Sequence, residues 1–180
     1  MADTQWPRYQ VFVQAREGEP HLDAGSVHAP DPELALLNAR DVFVRRPECH
    51  SLWLVPVEAI TAQSGYALEG LALDPTEPGE MQPYHIFRKL KPTARLSEAC
   101  LVTARSPQEA IDLAIRHFSD TDRGGEPAPL WWAFPAEAVL HSQPADRESL
   151  FQPAQDKPFR MSTDFKTHTM MHQLKDKKNS

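Results

Sequence analysis

Few residues in this chain could do chemistry, and most of them stand at the wrong spacing. Among its eight histidines, His168 and His172 are four apart, which would set two imidazoles on one helix face as metal ligands. Thr169, Met170 and Met171 lie between them, with no glutamate to act as a base, and the pair falls in a polar tail suited only to adventitious binding. A carboxylate-bridged di-iron centre uses Glu-x-x-His on a helix, yet no glutamate here is followed three residues later by histidine. Cys49 beside His50 precedes a strand-like run, where cysteine serves as a small buried hydrophobe, and Cys100 carries the same reading. Neither belongs to a Cys-x-x-Cys pair, and Gly-x-Ser-x-Gly, Gly-x-Gly-x-x-Gly and the Walker loop are all missing. The chain is therefore expected to hold no catalytic, cofactor-binding or metal-ligating set of its own.

Binding is the remaining class. Trp53 and Trp131 sit at matched strand positions and are expected in the core, because aromatics on a half-buried sheet need no ligand. Trp132 must point to the opposite face from Trp131, and Trp6 lies ahead of the first strand, so both suit an interface, where tryptophan is enriched. Arg45 and Arg46 follow a helix whose last carbonyls they can satisfy, and they can also meet an acidic partner.

The composition limits what that partner can be. With 19 Lys+Arg against 25 Asp+Glu, a net charge of −6 supplies no basic face for a phosphate backbone, so nucleic acid is not expected. The longest apolar runs, 52–57 and 127–134, are too short to span a bilayer, and no membrane-surface helix is visible. MADTQWPRYQ has neither a basic start nor an apolar run, so no secretory or transit peptide is read there and a cytoplasmic location is expected. At 180 residues the chain can bury a core without disulfides.

The elements that position these residues come as a repeat. A shift of 75 residues brings Tyr9, Phe12, Ala24, Val27, Ala29, Pro32, Ala35, Ala39 and Phe43 onto Tyr84, Phe87, Ala99, Val102, Ala104, Pro107, Ala110, Ala114 and Phe118 without a gap. Average composition would give roughly two such identities. Past an insertion near Gly124-Gly125, Leu52-Trp53 aligns with Leu130-Trp131 and Pro56-Val57-Glu58-Ala59-Ile60 with Pro135-Ala136-Glu137-Ala138-Val139.

Each copy reads as two strands, a helix, a third strand and a short turn. In the first, 8–14 alternates with Tyr9, Val11 and Val13 on one face, Gly18 and Pro20 make the turn, and 22–29 returns. Asp31 caps a helix with Pro32 in first position and a stripe of Ala35, Leu36, Ala39, Val42 and Phe43, stopped by Pro47. The second copy caps with Ser106, again followed by proline, and Glu109 stands at capping-box spacing. Third strands are expected at 51–56 and 130–134, with single turns over 56–62 and 135–140. The fold class is α+β: two strand-strand-helix-strand repeats with antiparallel sheets about a pseudo-twofold axis. The repeats span 1–62 and 84–141, joined by a Gly- and Pro-rich linker at 63–83. An extended arm over 142–166 would offer Phe151, Phe159 and Phe165 to a partner, and 167–180 would be a flexible tail.

Four strings in the first copy then carry a resemblance: Trp6-Pro7-Arg8-Tyr9-Gln10-Val11-Phe12-Val13, Gly25-Ser26-Val27-His28-Ala29, Ala35-Leu36-Leu37-Asn38-Ala39-Arg40-Asp41 and Ser51-Leu52-Trp53-Leu54-Val55. Together they resemble the small B subunit of the bacterial phenylacetyl-CoA epoxidase (phenylacetate-CoA oxygenase). The closing stretch, with Phe151-Gln152-Pro153-Ala154 and Lys157-Pro158-Phe159-Arg160, is similar to the end of the same subunit. The family subunit is a single copy, whereas here a second copy intervenes and replaces Gly25, His28, Asn38 and Arg40 by Cys100, Thr103, Leu113 and Ile115. The resemblance implies a non-catalytic subunit of a multicomponent monooxygenase that epoxidises an aromatic acyl-CoA. Di-iron would sit in a helical partner subunit, a reductase would supply electrons, and the chain could also self-associate. The competing reading is a small regulatory or ligand-binding α+β protein that senses an aromatic acyl-CoA.

Overall fold

Alternation in β1 (Arg8–Gln14) puts Tyr9, Val11 and Val13 against one core and Phe12 against another. The computed structural model describes residues 6–44, 49–64, 79–121 and 128–155. β1 pairs antiparallel with β2 (Leu22–His28), and the turn between them uses Gly18 at φ +80°. Their register slips between Val11 and Phe12, facing Gly25, whose φ of +127° is a conformation side chains resist. A Cβ there would also stand 3.1 Å from the Phe43 ring.

Helix α1 (Pro32–Phe43) starts where Asp31 Oδ1 accepts the Leu34 N–H at 2.8 Å. It buries Ala35 and Ala39 on the sheet; Val42, placed on the same stripe by the sequence reading, faces solvent because it lies past the buried arc. β3 (Ser51–Pro56) completes the first half on the far side of β1. The second half repeats the order with β5 (Gln82–Lys89), β6 (Ser97–Ala104), α2 (Pro107–Thr121) and β7 (Leu130–Pro135). Its helix has the forward bond of a capping box, Ser106 Oγ accepting from Glu109 N–H, while Glu109 Oε2 reaches one residue past the cap and accepts from Arg105 N–H.

Two strands escape the sequence reading. After a single 3-10 turn at Val57–Ala59, the chain continues as β4 (Thr61–Ser64), which pairs with β7 of the other half. After the matching turn at Ala136–Ala138, β8 (Leu140–His141) pairs with β3. Ser142 extends that contact, exchanging hydrogen bonds with the Leu52 backbone in both directions. Each half thus lends its last strand to the other, giving one antiparallel sheet in the order β4-β7-β5-β6-β2-β1-β3-β8. That order reads the same from both ends when β1 to β4 are exchanged with β5 to β8. The 63–83 linker shrinks accordingly, since Gln63 and Ser64 lie in β4 and Gln82 and Pro83 in β5.

At the centre β2 meets β6 only around Leu22 and Ser97, with Asp23 N–H donating to Leu96 O and Glu98 N–H to His21 O. Here the sheet bends. β1 and β5 are three strands apart, roughly 14 Å in a flat sheet, yet the Phe12 and Phe87 rings lie 4.4 Å apart. Phe134 joins both rings, and Val55, Leu96 and Val139 close this inner core. The helices cover the outer faces, where each half keeps a separate core.

The registers revise the tryptophan alignment by one residue. Phe12 pairs with Trp53 and Phe87 with Trp132, so Trp132 is the counterpart of Trp53, and Trp131 fills the outer core at the place of Leu52. A shift of one residue reverses which face a strand side chain occupies, so Trp53 belongs to the inner face. The C-terminal reading changes as well. Residues 147–155 form helix α3 (Arg147–Gln155), which packs on α1 and buries Leu150 and Phe151 in the first half's core. A local run without a long apolar stripe folds as helix here because α1 gives it a surface to bury against. The rest of the expected arm, and the tail, lie outside the described residues.

Candidate functional site

Among the described residues, a group of titratable side chains forms where the sheet bends. His21, just ahead of β2, is almost fully buried, and its Nδ1 lies 2.9 Å from Glu98 Oε2 on β6. An ionised carboxylate only accepts, so this nitrogen carries the proton and donates. The His21 backbone N–H adds a contact to the same oxygen at 3.3 Å, and Nε2 faces Ser51 Oγ at 3.4 Å. His85 Nδ1 on β5 stands 3.4 Å from Glu98 Oε1, an electrostatic approach longer than a good hydrogen bond.

Trp53 organises the imidazoles. His21 stacks on its indole at 3.6 Å and 21°, while His85 and His141 meet it edge-on at 4.6 and 5.4 Å. Each ring is turned to the indole, and among the described residues no group of three or more His, Cys, Asp or Glu is placed to hold a metal ion. What the arrangement can do is clamp: His21, Ser51 and Trp53 come from the first half, and His85, Glu98 and His141 from the second.

The electrostatics follow from burial and partners. Burial alone would raise the Glu98 pKa, but the contacts from His21 and His85 outweigh it and bring it down to about 2 from 4.5. His141 is pushed below its usual 6.5 by partial burial, then by the nearby His85 and His21. Both groups have folded values below their unfolded ones, so their contributions are present at neutral pH and lost on acidification. The His141 part fades as pH falls below 6.5 and the Glu98 part as it falls from 4.5 towards 2. A melting temperature that declines from about pH 7.5 to 5 and drops faster below about 4.5 is the expected profile. His141→Gln should flatten its upper limb and Glu98→Gln its lower one in a thermal melt series.

None of the titratable residues in this cluster stood out by spacing, because the cluster is assembled across the halves. One signal was present in the repeat. His21, His85 and Glu98 fall opposite Leu96, Gln10 and Asp23, so the polar identities change together at three positions that face one another. On that other side Gln10 Nε2 donates to Asp23 Oδ1 at 2.6 Å, and Arg95 donates to the Asp23 carbonyl.

The residues expected to meet a partner separate. Trp6 is well exposed, its carbonyl 3.0 Å from His28 Nδ1, and Asn38 donates to the His28 carbonyl, so three of the residues carrying the family resemblance share one surface. Trp132 is half-buried beside the inner core, edge-on to Phe12. Phe151 is removed from the interface set: it is buried under α1. Arg45, Arg46, Phe159, Phe165, His168 and His172 lie outside the described residues. Cys49 is buried with its Sγ directed at the Ser51 carbonyl, and burial raises the Cys100 thiol pKa. Among the described residues no helix is long and apolar enough to cross a membrane.

Comparison with known proteins locates the family in the first half. The family model described as Phenylacetic acid degradation B matches residues 5–76. The B subunit of 1,2-phenylacetyl-CoA epoxidase from Escherichia coli (strain K12) is similar over 77 residues at 42% identity, which covers 43% of this chain and 80% of the relative. No solved structure shows a significant match. At that identity over four fifths of the relative's length, the chain belongs to the Phenylacetic acid degradation B family.

Proposed function

We propose that this chain is a non-catalytic bridging subunit of a multicomponent di-iron monooxygenase that epoxidises an aromatic acyl-CoA of the phenylacetyl-CoA type. The observation that carries the reading is the 42% identity between its first half and the B subunit of such an epoxidase. The residues agree with a supporting role. The buried polar cluster ties strands together: its one hydroxyl beside an imidazole, Ser51 Oγ, stands 3.4 Å from the almost fully buried His21 Nε2, longer than a good hydrogen bond, and the described residues do not fit a di-iron set. The iron in this reading belongs to a helical partner, and no step of the reaction is assigned to this chain.

The repeat is read as a fused pair. The relative is little more than half the length of this chain. Two such units exchanging their last strands about a twofold axis would give the palindromic order of this sheet. Residues up to β4 stand for one subunit and β5 to β8 for a second, diverged one. Trp6, His28 and Asn38 in the first unit have no like counterparts in the second, so partner contact is assigned mainly to the first unit, which also carries Arg45 and Arg46, with Trp132 of the second unit and Phe159 and Phe165 beyond it as further contact residues.

Co-expression with the oxygenase and reductase subunits of such a complex tests this. A tag on this chain should retain the helical di-iron subunit in constant ratio, and the chain alone should show no oxygen-dependent turnover of phenylacetyl-CoA. A chain that retains an aromatic acyl-CoA through purification while no oxygenase subunit accompanies it would make it a sensor instead.

A further inference from the structure

The centre of the sheet has two positions related by the exchange of halves, and only one carries imidazoles. At one, His21 of the first half enters the second half's Glu98 and His85; at the other, Leu96 of the second half holds the matching place, its carbonyl bonded to the first half's Asp23, to which Gln10 donates. The backbone does not distinguish them, since the two bridging hydrogen bonds are equivalent and both 2.9 Å long. The side chains do.

Consider the alternatives open to each half. A second half paired with a copy of itself would put Leu96 where His21 stands. Glu98 would lose the Nδ1 donor and keep only the distant His85, leaving a desolvated carboxylate short of partners, which is costly. A first half paired with itself would set His21 against Asp23, one methylene shorter than Glu98, with Gln10 in place of His85. The full set, carboxylate between two imidazoles with His21 stacked on Trp53, exists only when the first half meets the second.

We infer that the His21–Glu98–His85 cluster is a pairing determinant that commits the second half to a first-half partner and makes the central junction directional. The inference rests on reading the repeat as a fused pair. Its role is to suppress pairings of like halves between chains, which would link molecules into open assemblies, in favour of closure of each chain on itself. The groups around Glu98 are His21 from the segment before β2, His85 from β5, Ser51 and Trp53 from β3, and His141 from β8.

The test uses the full-length chain and the variants His21→Leu, Glu98→Leu and the double. Each single change leaves a buried polar group without its partner and should destabilise the fold in a denaturant melt. The double replaces the pair by apolar side chains and should recover at least about tenfold in the folding constant over the sum of the singles. It should also lose fidelity: refolded at high concentration, the unchanged chain returns to one species in size-exclusion chromatography with light scattering, and the double variant gives several. Additive effects, or a double variant that refolds to the same single species, would overturn the inference. Both readouts use this chain alone, so their failure leaves the co-purification result and the functional reading where they stood.

Discussion

Phe87→Ala is expected to destabilise the protein by about 3–5 kcal/mol, with the two halves loosening together. Phe87 is fully buried, with Phe12 at 4.4 Å and Phe134 at 5.4 Å between ring centroids, so truncation opens a cavity between the inner faces of both half-sheets. The β2–β6 backbone junction is too short to hold the sheet in its bend, with one residue pair and two flanking hydrogen bonds. The exchanged strands and the aromatic contact across the inner core hold it there. Thermal and denaturant melts followed by far-UV circular dichroism and by tryptophan fluorescence should shift to the same lower midpoint. A variant in which the outer cores keep their midpoint while only the inner one melts would show that the halves are stable independently.

Removal of the C-terminal helix should have the next largest effect. A chain ending at Asp146 lacks Leu150 and Phe151, two side chains buried against α1 and the first sheet, and burial of that kind is worth about 3–6 kcal/mol for the pair. Its midpoint should fall by about 6–20 °C. A chain ending at Gln155 keeps the helix and should melt above the chain ending at Asp146 by that margin. If residues 156–180 contact the oxygenase subunit, the same truncation weakens pull-down by about tenfold, or about 1.4 kcal/mol. An unchanged melt for the shorter chain would mean that α3 is not part of the core.

The sequence by itself was enough for the elements with local causes. The Asp31 and Ser106 caps, each followed by a proline, set the helix starts because a cap satisfies N–H groups within one turn. Alternation in β1 and the apolar runs of β3 and β7 set three strands, since period two requires only neighbours in sequence. The resemblance in the first half was legible for a similar reason: its motifs are contiguous.

Tertiary structure decided everything that depends on a partner distant in sequence. β4 and β8 are four and two residues long and have little periodicity to read, and they are strands only because the other half presents an open edge to each. Trp53 and Trp132 became counterparts through the strand registers, where an offset of one residue along the chain had hidden the match. Phe151 looked like an anchor for another protein until α1 covered it. The histidine cluster is the extreme case, because His21, Glu98, His85, Trp53 and His141 are spread over 121 positions of the chain. Composition and spacing describe what lies along the chain, and this site is made by the bend that brings its two halves together.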